Sequence, residues 1–416
     1  MPHRTFHALI VVILFIPFAG CNRIWSSGST RNALSSSQAG NLIVDANFPG
    51  GNIIVVGIKD NTVFIRPDQR DSSDFWFYWY FRVRGGPGRT VKFEFTGRNP
   101  IGTRGPAFST DGGHTWSWLG ATEAGDSSFT YTFGHESEHV RFCFSIPYLE
   151  ANLHEFLDKY VDSAHLTVHE LCRTRKGRTV ERIHAGKINT DPKYSVLLTT
   201  RHHACETIAS YTLEGLLDAV LADTDLGRWY QNNVEVLAIP FVDKDGVEEG
   251  DQGKNRRPHD HNRDYQGQSV YPSIEAIRRF VPEWSKGKLD AAVDLHCPHI
   301  SGKYNEVIYI VGSVDAEIWR QQQEFSTILE SVRQGPLPYS AESSLPFGTA
   351  WNTVRNYGGH KSCSRWAAEQ SGIRLATTIE IPYANVGTAT VTAEAARTLG
   401  RDVALALRQY LETGKH

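Results

Sequence analysis

The hydrophobic pattern of this chain changes near residue 165, and that change constrains the fold more than any other feature. Between residues 41 and 147, short apolar runs follow one another and are separated by turn signals. Beyond residue 165, short apolar runs alternate with longer segments of helical period. Closely spaced strands are typical of a β-sandwich, and alternating strands and helices are typical of an α/β sheet. The length of 416 residues suits two or three domains.

We therefore predict an all-β sandwich over residues 41–160, followed by an α/β domain over residues 165–415. The α/β domain is expected to hold a mixed, mostly parallel sheet with helices on both faces. A segment of helical period over residues 149–161 is predicted to bridge the two domains.

The first 40 residues resemble neither domain. An apolar run over residues 8–20 is too short to span a bilayer and is interrupted by Pro17. It predicts an export signal over residues 1–21, and the small residues before Cys21 resemble a bacterial lipoprotein cleavage site. The alternatives are lipid and hence membrane attachment at Cys21, which gives a cell-envelope protein, or simple cleavage, which gives a periplasmic or secreted one. Residues 22–40 are predicted to be a flexible linker.

Composition and charge exclude several classes of protein. The net charge is −3 and the chain has no dense tract of Lys and Arg, so a nucleic-acid partner is not expected. Five cysteines follow Cys21, an odd number without a CxxC spacing, which excludes a disulfide scaffold. They are Cys143, Cys172, Cys205, Cys297 and Cys363, and their pairing cannot be read from the sequence.

The first candidate metal ligands are His203 and Glu206, which lie three residues apart where a predicted strand ends and a helix begins. At that spacing both side chains can converge on one point, and imidazole and carboxylate both suit zinc. His202 is an alternative ligand, but its offset to Glu206 is four. HxxE alone is a weak signal.

A third ligand is predicted at His296, at the end of the apolar strand that begins at residue 291. Ligands delivered from the carboxyl ends of neighbouring strands are the geometry that α/β sheets favour. His299 is the competitor, although it lies beyond Pro298 in the following loop. Alternatively, His296 has a structural role as a core histidine that is hydrogen-bonded to the backbone.

Two further segments contain charged residues that are expected to interact with a group of opposite charge or with a metal-bound water. The polar stretch 253–265 contains Arg256, Arg257 and Arg263, which are either a solvated loop or guanidinium groups that bind a carboxylate. Glu380 lies inside a β-branched strand, where an unpartnered charge is costly, and a metal-bound water would be such a partner.

Together these residues resemble the zinc metallocarboxypeptidases related to carboxypeptidase A. That family carries HxxE, then Asx-x-Asn-Arg, then a histidine at a strand end and a catalytic glutamate late in the chain. The corresponding residues here, in order, are His203 and Glu206, then Asp260, Asn262 and Arg263, then His296, and last Glu380. The resemblance covers residues 165–415, and the N-terminal β-rich part is similar to the sandwich of the cytosolic carboxypeptidase subgroup.

The resemblance implies one Zn²⁺ ion on His203, Glu206 and His296, with Glu380 as general base. It further implies a peptide substrate with a free C-terminal carboxylate, held by Asn262 and Arg263. The implied role of Asp260 is to hold His203, and that of Arg256, or its neighbour Arg257, is to stabilise the oxyanion. Tyr357, 23 residues before Glu380, matches a mobile tyrosine that covers the substrate.

Specificity is implied by Arg365, which lies 15 residues before Glu380 where the family places the base of its specificity pocket. A basic residue there would favour acidic C-terminal side chains. Arg374 and Lys361 are alternatives, and all three could instead be surface charges. Cys205, inside HxxE, and Cys297, directly after His296, depart from the residues that are usual in the subgroup. Because of this departure, the resemblance does not determine the identity of the substrate.

Two other functions compete with this one. A zinc deacylase of the aspartoacylase type, acting on small N-acyl amino acids, shares HxxE and a distant histidine. The N-terminal sandwich and the late Tyr357 argue against it. A non-catalytic surface binding protein is the other alternative, and the presence of all three ligands and Glu380 argues against that.

Overall fold

Two sheets whose inner faces are lined with phenylalanine and tryptophan make up the N-terminal part of the chain. The computed structural model describes residues 37–39, 42–72, 74–123, 125, 127–136, 139–188 and 190–413. The strands of this part are β1 (Ser37–Ala39), β2 (Leu42–Asp45), β3 (Ile54–Lys59), β4 (Thr62–Arg66), β5 (Tyr80–Arg84), β6 (Thr90–Phe95), β7 (Ala107–Ser109), β8 (Ser117–Trp118), β9 (Ser128–Thr132) and β10 (His139–Cys143).

One sheet has the order β1-β2-β5-β10-β7-β8 and the other β3-β4-β6-β9. Their inner faces meet through aromatic rings: Phe93 lies 5.4 Å from Phe81 and 5.3 Å from Phe142, between ring centroids. The alternation of Val91, Phe93 and Phe95 in the sequence predicts one apolar face, and in the structure these side chains are buried between the two sheets. The aromatic run from residue 74 in the sequence predicts a strand that begins there, but β5 begins only at Tyr80. Before it, the backbone N–H of Phe77 donates to the side chain of Gln252 at 2.6 Å instead of to a neighbouring strand.

The rest of the chain alternates strands with helices. Its strands are β11 (Leu166–Arg173), β12 (Thr179–Gly186), β13 (Tyr194–Thr200), β14 (Val234–Ile239), β15 (Ala291–His296), β16 (Tyr309–Ile310), β17 (Leu375–Glu380), β18 (Asn385–Val386) and β19 (Ala389–Thr390). The helices are α1 (Glu150–Asp158), α2 (Thr207–Leu221), α3 (Asp225–Asn233), α4 (Lys244–Glu249), α5 (Pro272–Trp284), α6 (Ala316–Val332), α7 (Val354–Tyr357), α8 (Cys363–Ala367) and α9 (Ala393–Thr413).

Seven of these strands form one sheet in the order β11-β12-β14-β13-β15-β17-β16. The four strands β14, β13, β15 and β17 are parallel, and the outer pairs are antiparallel. The predicted mixed sheet is therefore present, but its parallel character is confined to the centre. The sequence does not predict strands β11 and β12, because β11 is half-exposed and β12, although buried, is interrupted by the polar residues Glu181, Arg182 and His184.

Helices cover both faces of this sheet, and the central strands show why. In β13, Val196 and Leu198 pack into the cluster that includes α2 and α9, whereas Leu197 packs with α5 and α8 on the other face. A strand buried on both faces is apolar at every position rather than at alternate ones. That is the pattern of Tyr194–Thr200.

The predicted export segment 1–21 and residues 22–36 and 40 of the predicted linker 22–40 lie outside the described residues, so signal cleavage and lipidation of Cys21 stay predictions. Residues 37–39 of that linker are not a flexible tether but form strand β1, which pairs with β2. None of the helices in the described part of the chain is long and apolar enough to cross a membrane. The boundaries at residues 160 and 165 also stay predictions. Helix α1 lies between the last strand of the sandwich and the first of the α/β sheet.

Helices α2 and α9 approach so closely that only glycine fits at two crossing positions. A Cβ atom on Gly400 would lie 2.0 Å from the carbonyl oxygen of Thr212, and one on Gly215 would lie 1.9 Å from that of Arg397. Since backbone cannot move aside as a side chain can, the two helices would have to separate. The space between them is part of the main core.

We expect Gly400→Ala to lower the free energy of unfolding by about 1–3 kcal/mol, because overpacking forces these helices apart. Urea denaturation followed by circular dichroism measures the change. Gly57→Ala is the control, since a Cβ at Gly57 meets no atom within 4 Å. Equal losses in the two variants would contradict this account of the helix crossing.

Candidate metal centre

The predicted ligands meet at the carboxyl end of the parallel strands. Strands β15 and β17 are neighbours in a register that places His296 directly beside Glu380. His203 and Glu206 lie in the turn between the end of β13 and the start of α2. Because β13 also pairs with β15 in parallel, the turn and both strand ends open on the same edge of the sheet.

His203, Glu206 and His296 form a compact triad. Nδ1 of His203 lies 2.8 Å from one carboxylate oxygen of Glu206, and Nδ1 of His296 lies 2.7 Å from the other. The candidate ligand atoms of all three residues lie within 4.8 Å of one another. Two imidazole nitrogens and a carboxylate oxygen converging in this way fit a divalent metal ion.

The outer nitrogen of each imidazole faces an aspartate. Nε2 of His296 lies 2.7 Å from Asp294, and Nε2 of His203 lies 3.5 Å from Asp260. A carboxylate at Nε2 favours the tautomer with its proton there, which leaves the Nδ1 lone pair directed at the triad. The predicted role of Asp260 is consistent with this placement, and Asp294 is an equivalent residue that the sequence did not identify.

Charges around Glu206 favour its ionised form. Burial opposes ionisation, but Lys254 and the two imidazoles hold the pKa of Glu206 well below its ordinary value. Burial likewise opposes protonation of His296, yet Asp294 and Glu206 raise the pKa of His296 well above the ordinary value. The carboxylate thus stays negative, as a ligand of a divalent cation must be.

Glu380 is buried at the edge of the triad and incompletely satisfied. Its Oε2 atom has no hydrogen-bond partner among the described residues. Burial raises the pKa of Glu380, His296 acts in the opposite direction, and the nearby carboxylate of Glu206 raises it further. A carboxylate with a raised pKa and a free oxygen is suited to accept and return a proton.

An open cleft with an empty volume of about 840 Å³ lies over these groups. Besides His203, His296 and Glu380, its walls include Asn262, Arg263 and Tyr357. Arg365 lines a smaller cavity that shares Tyr357 and Val311 with the cleft. The residues predicted for substrate binding are therefore brought together around the triad.

The structure does not bring Arg256 to the cleft. Its guanidinium lies 2.6 Å from Asp71, 2.8 Å from Asp243 and 3.0 Å from Asp251, and it lines a second cavity instead. Its neighbour Arg257 lines that same second cavity. Three carboxylates hold Arg256 in a structural network, so the geometry gives no support to either arginine as the oxyanion donor.

Lys254 is the cationic residue at this position that sequence reasoning missed. Its ammonium contacts Glu206 and donates a hydrogen bond to the carbonyl oxygen of Cys297 at 3.0 Å. Burial opposes the charge, but Glu206 raises the pKa of Lys254 above its ordinary value. In the sequence, only the position of Lys254, two residues before Arg256, could have indicated this role. Lys254 was overlooked because the family resemblance implies an arginine there.

The competing histidines lie next to the triad but have other partners. His202 is buried with its Nε2 atom 2.7 Å from the hydroxyl of Tyr265 and its Nδ1 atom 2.9 Å from Asp294. His299 lines the cleft but packs its ring edge-on against Phe77, at 4.9 Å between centroids. Neither replaces His203 or His296.

The two residues considered as alternatives to Arg365 for substrate specificity have other partners. Lys361 pairs with Glu369 at 2.7 Å, and Arg374 donates to backbone carbonyls of Tyr410 and Leu411 in α9. Cys143, Cys172, Cys205, Cys297 and Cys363 are all free thiols.

Two other groups of acidic and metal-binding side chains occur in the described residues, and their contacts argue against a metal. Lys244 lies between Glu150 and Glu181, at 2.7 and 2.8 Å, where an ion would have to sit. The other group is His202, Asp294 and Cys363, in which His202 and Asp294 are already bonded to each other and to neighbours. The triad is the group that faces open space.

Comparisons with known proteins show which proteins this chain is similar to. The model of the cytosolic carboxypeptidase N-terminal domain matches residues 44–144. Cytosolic carboxypeptidase 6 of Caenorhabditis elegans is 24% identical over 352 residues, which cover 76% of this chain and 73% of that protein. The mouse cytosolic carboxypeptidase 3 is also 24% identical, but the matched part spans only 29% of its length.

Among solved structures, a metallo-carboxypeptidase from Burkholderia cenocepacia matches with a TM-score of 0.74 and 20% identity, covering 90% of this chain and 99% of that one. At this identity the match shows the fold. Together with the sequence relatives it confirms the resemblance to the metallocarboxypeptidases and, with it, the prediction of a peptide hydrolase.

We expect Asp294→Asn to weaken the binding of a divalent metal about 10- to 100-fold, because the amide no longer fixes the His296 tautomer. Competition with a chromogenic chelator measures the affinity. Asp402→Asn is the control: Asp402 is also buried but accepts only from the backbone of Gln334 and Gly335. Equal weakening in both variants would show that lost stability, and not imidazole orientation, is responsible.

Proposed function

We propose that this chain, which has the metallocarboxypeptidase fold, is a zinc-dependent enzyme that removes residues from the C-termini of peptides. The observation that carries the proposal is the convergence of His203, Glu206 and His296 beside the incompletely satisfied carboxylate of Glu380, in a cleft open to solvent. A binding module would have no need for an acid–base group next to a metal triad.

Zinc is the metal that the ligand set fits best. Two imidazole nitrogens and one carboxylate oxygen are a common catalytic zinc set, which leaves a further coordination position open. When bound, such an ion supplies Lewis acidity that polarises a carbonyl group and makes water acidic near neutral pH.

Glu380 is proposed to take the proton of the hydrolytic water and then deliver it to the leaving amine. Its Oε2 atom is free to accept that proton, and its raised pKa keeps the protonated form accessible between the two steps. Its place beside His296 in the register of β15 and β17 holds it next to the triad.

The terminal carboxylate of the substrate is proposed to bind Asn262 and Arg263, which makes the enzyme an exopeptidase. The side chain of Asn262 is fixed, because its Oδ1 atom accepts from the backbone N–H of Cys363 at 2.9 Å. Arg263 donates through Nη1 to the carbonyl of Asn262, which leaves its other donors for a carboxylate. Tyr357 lies against this group, with the Arg263 guanidinium 4.7 Å from its ring centre.

A preference for acidic C-terminal side chains is proposed from Arg365. One of its guanidinium nitrogens, Nη2, is buried without a hydrogen-bond partner among the described residues. The guanidinium lies 3.3 Å from the ring centre of Tyr357, in a cavity also lined by the polar side chains of Ser313 and Gln322. A half-buried guanidinium beside the substrate cleft, with one nitrogen that has no hydrogen bond, is matched by a carboxylate.

The other two functions receive less support. A deacylase for small N-acyl amino acids has no use for a cleft bounded by Tyr357 and a separate cavity with Arg365.

An exported enzyme, with or without a lipid at Cys21, remains part of the proposal. It depends on residues outside the described part of the chain.

Glu380→Gln is expected to lower kcat about 10²- to 10⁴-fold, since the amide cannot accept the proton. Release of C-terminal residues from a peptide library measures kcat, and elemental analysis checks that one zinc ion is retained. Glu412→Gln, on the exposed end of α9, serves as the control. Full turnover in the Glu380→Gln variant, or activity that survives complete metal removal, would refute the mechanism.

Arg365→Gln should lower kcat/KM for peptides ending in glutamate about 10- to 100-fold, because a charge-assisted hydrogen bond of about 1.5–3 kcal/mol is lost. Peptides ending in leucine provide the comparison and should change little. Arg320→Gln, an exposed residue of α6, is the control variant. A parallel loss on both kinds of peptide would argue that Arg365 supports the fold or the peptide backbone instead.

A further inference from the structure

Lys254 is a cationic residue of the metal centre, and the mechanism described so far gives it no role. Its side chain lines the cleft together with His203, His296 and Glu380. The ammonium contacts one oxygen of Glu206 and donates to the carbonyl oxygen of Cys297 at 3.0 Å. An ammonium has three N–H donors, so one remains after these two contacts.

The backbone before Lys254 is pressed against the turn that carries the ligands. Gly253 has φ +82°, and a Cβ atom there would lie 2.5 Å from the backbone nitrogen of Ala204 and 3.0 Å from Cα of His203. Only glycine allows this approach. It places the lysine within reach of the triad, although the two segments are far apart in the sequence.

The β-sandwich holds the same loop from the other side. The side chain of Gln252 accepts from the backbone N–H groups of Phe77 and Tyr78, at 2.6 and 3.2 Å, and donates to the carbonyl oxygen of Phe75 at 3.0 Å. On the far side of Lys254, Asn255 donates to Asp74 at 3.0 Å. Contacts on both flanks therefore fix the position of the lysine.

We propose that Lys254 is a catalytic residue whose ammonium stabilises the oxyanion formed at the scissile carbonyl, the role expected of an arginine. The inference rests on the proposed peptidase function. It is favoured because Arg256 is held by three carboxylates away from the cleft, while Lys254 lines it beside Glu380.

The chemistry balances without a proton from the lysine. Attack by water forms a C–O bond and moves the π electrons of the carbonyl onto its oxygen, while Glu380 takes the proton. The remaining N–H of Lys254 donates a hydrogen bond to that negative oxygen. When the C–N bond breaks, the carbonyl re-forms and the proton on Glu380 passes to the amine. The lysine stays charged throughout.

The test compares Lys254→Met, Lys254→Arg and a surface control, Lys286→Met, in the full-length zinc-loaded protein. We expect Lys254→Met to lower kcat about 10²- to 10³-fold with little change in KM, because only the transition state bears the charge. Lys254→Arg should restore part of the loss. Binding of a phosphinic peptide, which mimics the tetrahedral state, should weaken by the same factor, while binding of the product amino acid should stay within about threefold.

Zinc affinity of the metal-free proteins gives a second readout that does not depend on turnover. Removing a cation from Glu206 should leave the affinity equal or higher in Lys254→Met. A loss of affinity of about tenfold would overturn the inference, because Lys254 would then serve to position the ligand. If the Lys254→Met variant does not fold, Lys254→Gln removes the charge but can still donate to Cys297, and the same loss of kcat is expected.

The outcomes separate the two proposals. A wild-type protein that binds zinc but cleaves no peptide overturns the proposed function and this inference with it. An active wild type together with a Lys254→Met variant whose kcat lies within about threefold overturns only the role of Lys254. Loss of phosphinic-peptide and product binding to the same degree would show a general binding role and would also overturn it.

Discussion

The buried carboxylate of Glu206 is the group on which the rest of the centre depends. It is fully buried, and a charge in that position is tolerated only when cations surround it. Two imidazoles and the ammonium of Lys254 supply that surrounding, and each is delivered by a different part of the chain. The turn after β13, the end of β15 and the loop around Lys254 must therefore converge for the fold to bury Glu206 at all.

The β-sandwich takes part in this convergence and is more than an appended domain. Asn52 donates to the carbonyl oxygen of Gly250 at 2.8 Å, and Arg70 pairs with Asp251 at 2.7 Å. Gly250 approaches so closely that a Cβ atom there would lie 2.5 Å from the backbone of Gly50. Since Lys254 and Asn255 of this loop line the cleft, the sandwich acts as a template that gives an otherwise irregular segment one conformation.

Local pattern predicted those parts of the fold whose burial is uniform. The apolar run 194–200 in the sequence predicts a strand with the ends that β13 has, because a strand buried on both faces is apolar along its whole length. Strand β11 was missed, since a half-exposed edge strand carries little period, and β12 was missed because charged and polar residues interrupt its buried run. Of the site, His203, Glu206, His296 and Glu380 were expected to be neighbours, and the structure brings them together, because their motif spacing and strand-end positions are local features. The partners of Arg256 are distant in sequence and left no such trace.

The sequence by itself determined which candidate donor groups lie near strand ends, since HxxE, a strand-end histidine and a late glutamate occur together, although HxxE alone is a weak signal. It also determined the division into a β-rich and an α/β part, because each secondary structure has its own hydrophobic period. Only the tertiary structure decided which cation faces the cleft. Lys254 and Arg256 are nearly equivalent in the sequence, but Asp71, a residue of the sandwich, pairs with the arginine, and Gly253 presses the lysine against the ligands. Such a choice depends on long-range contacts, which no local pattern records.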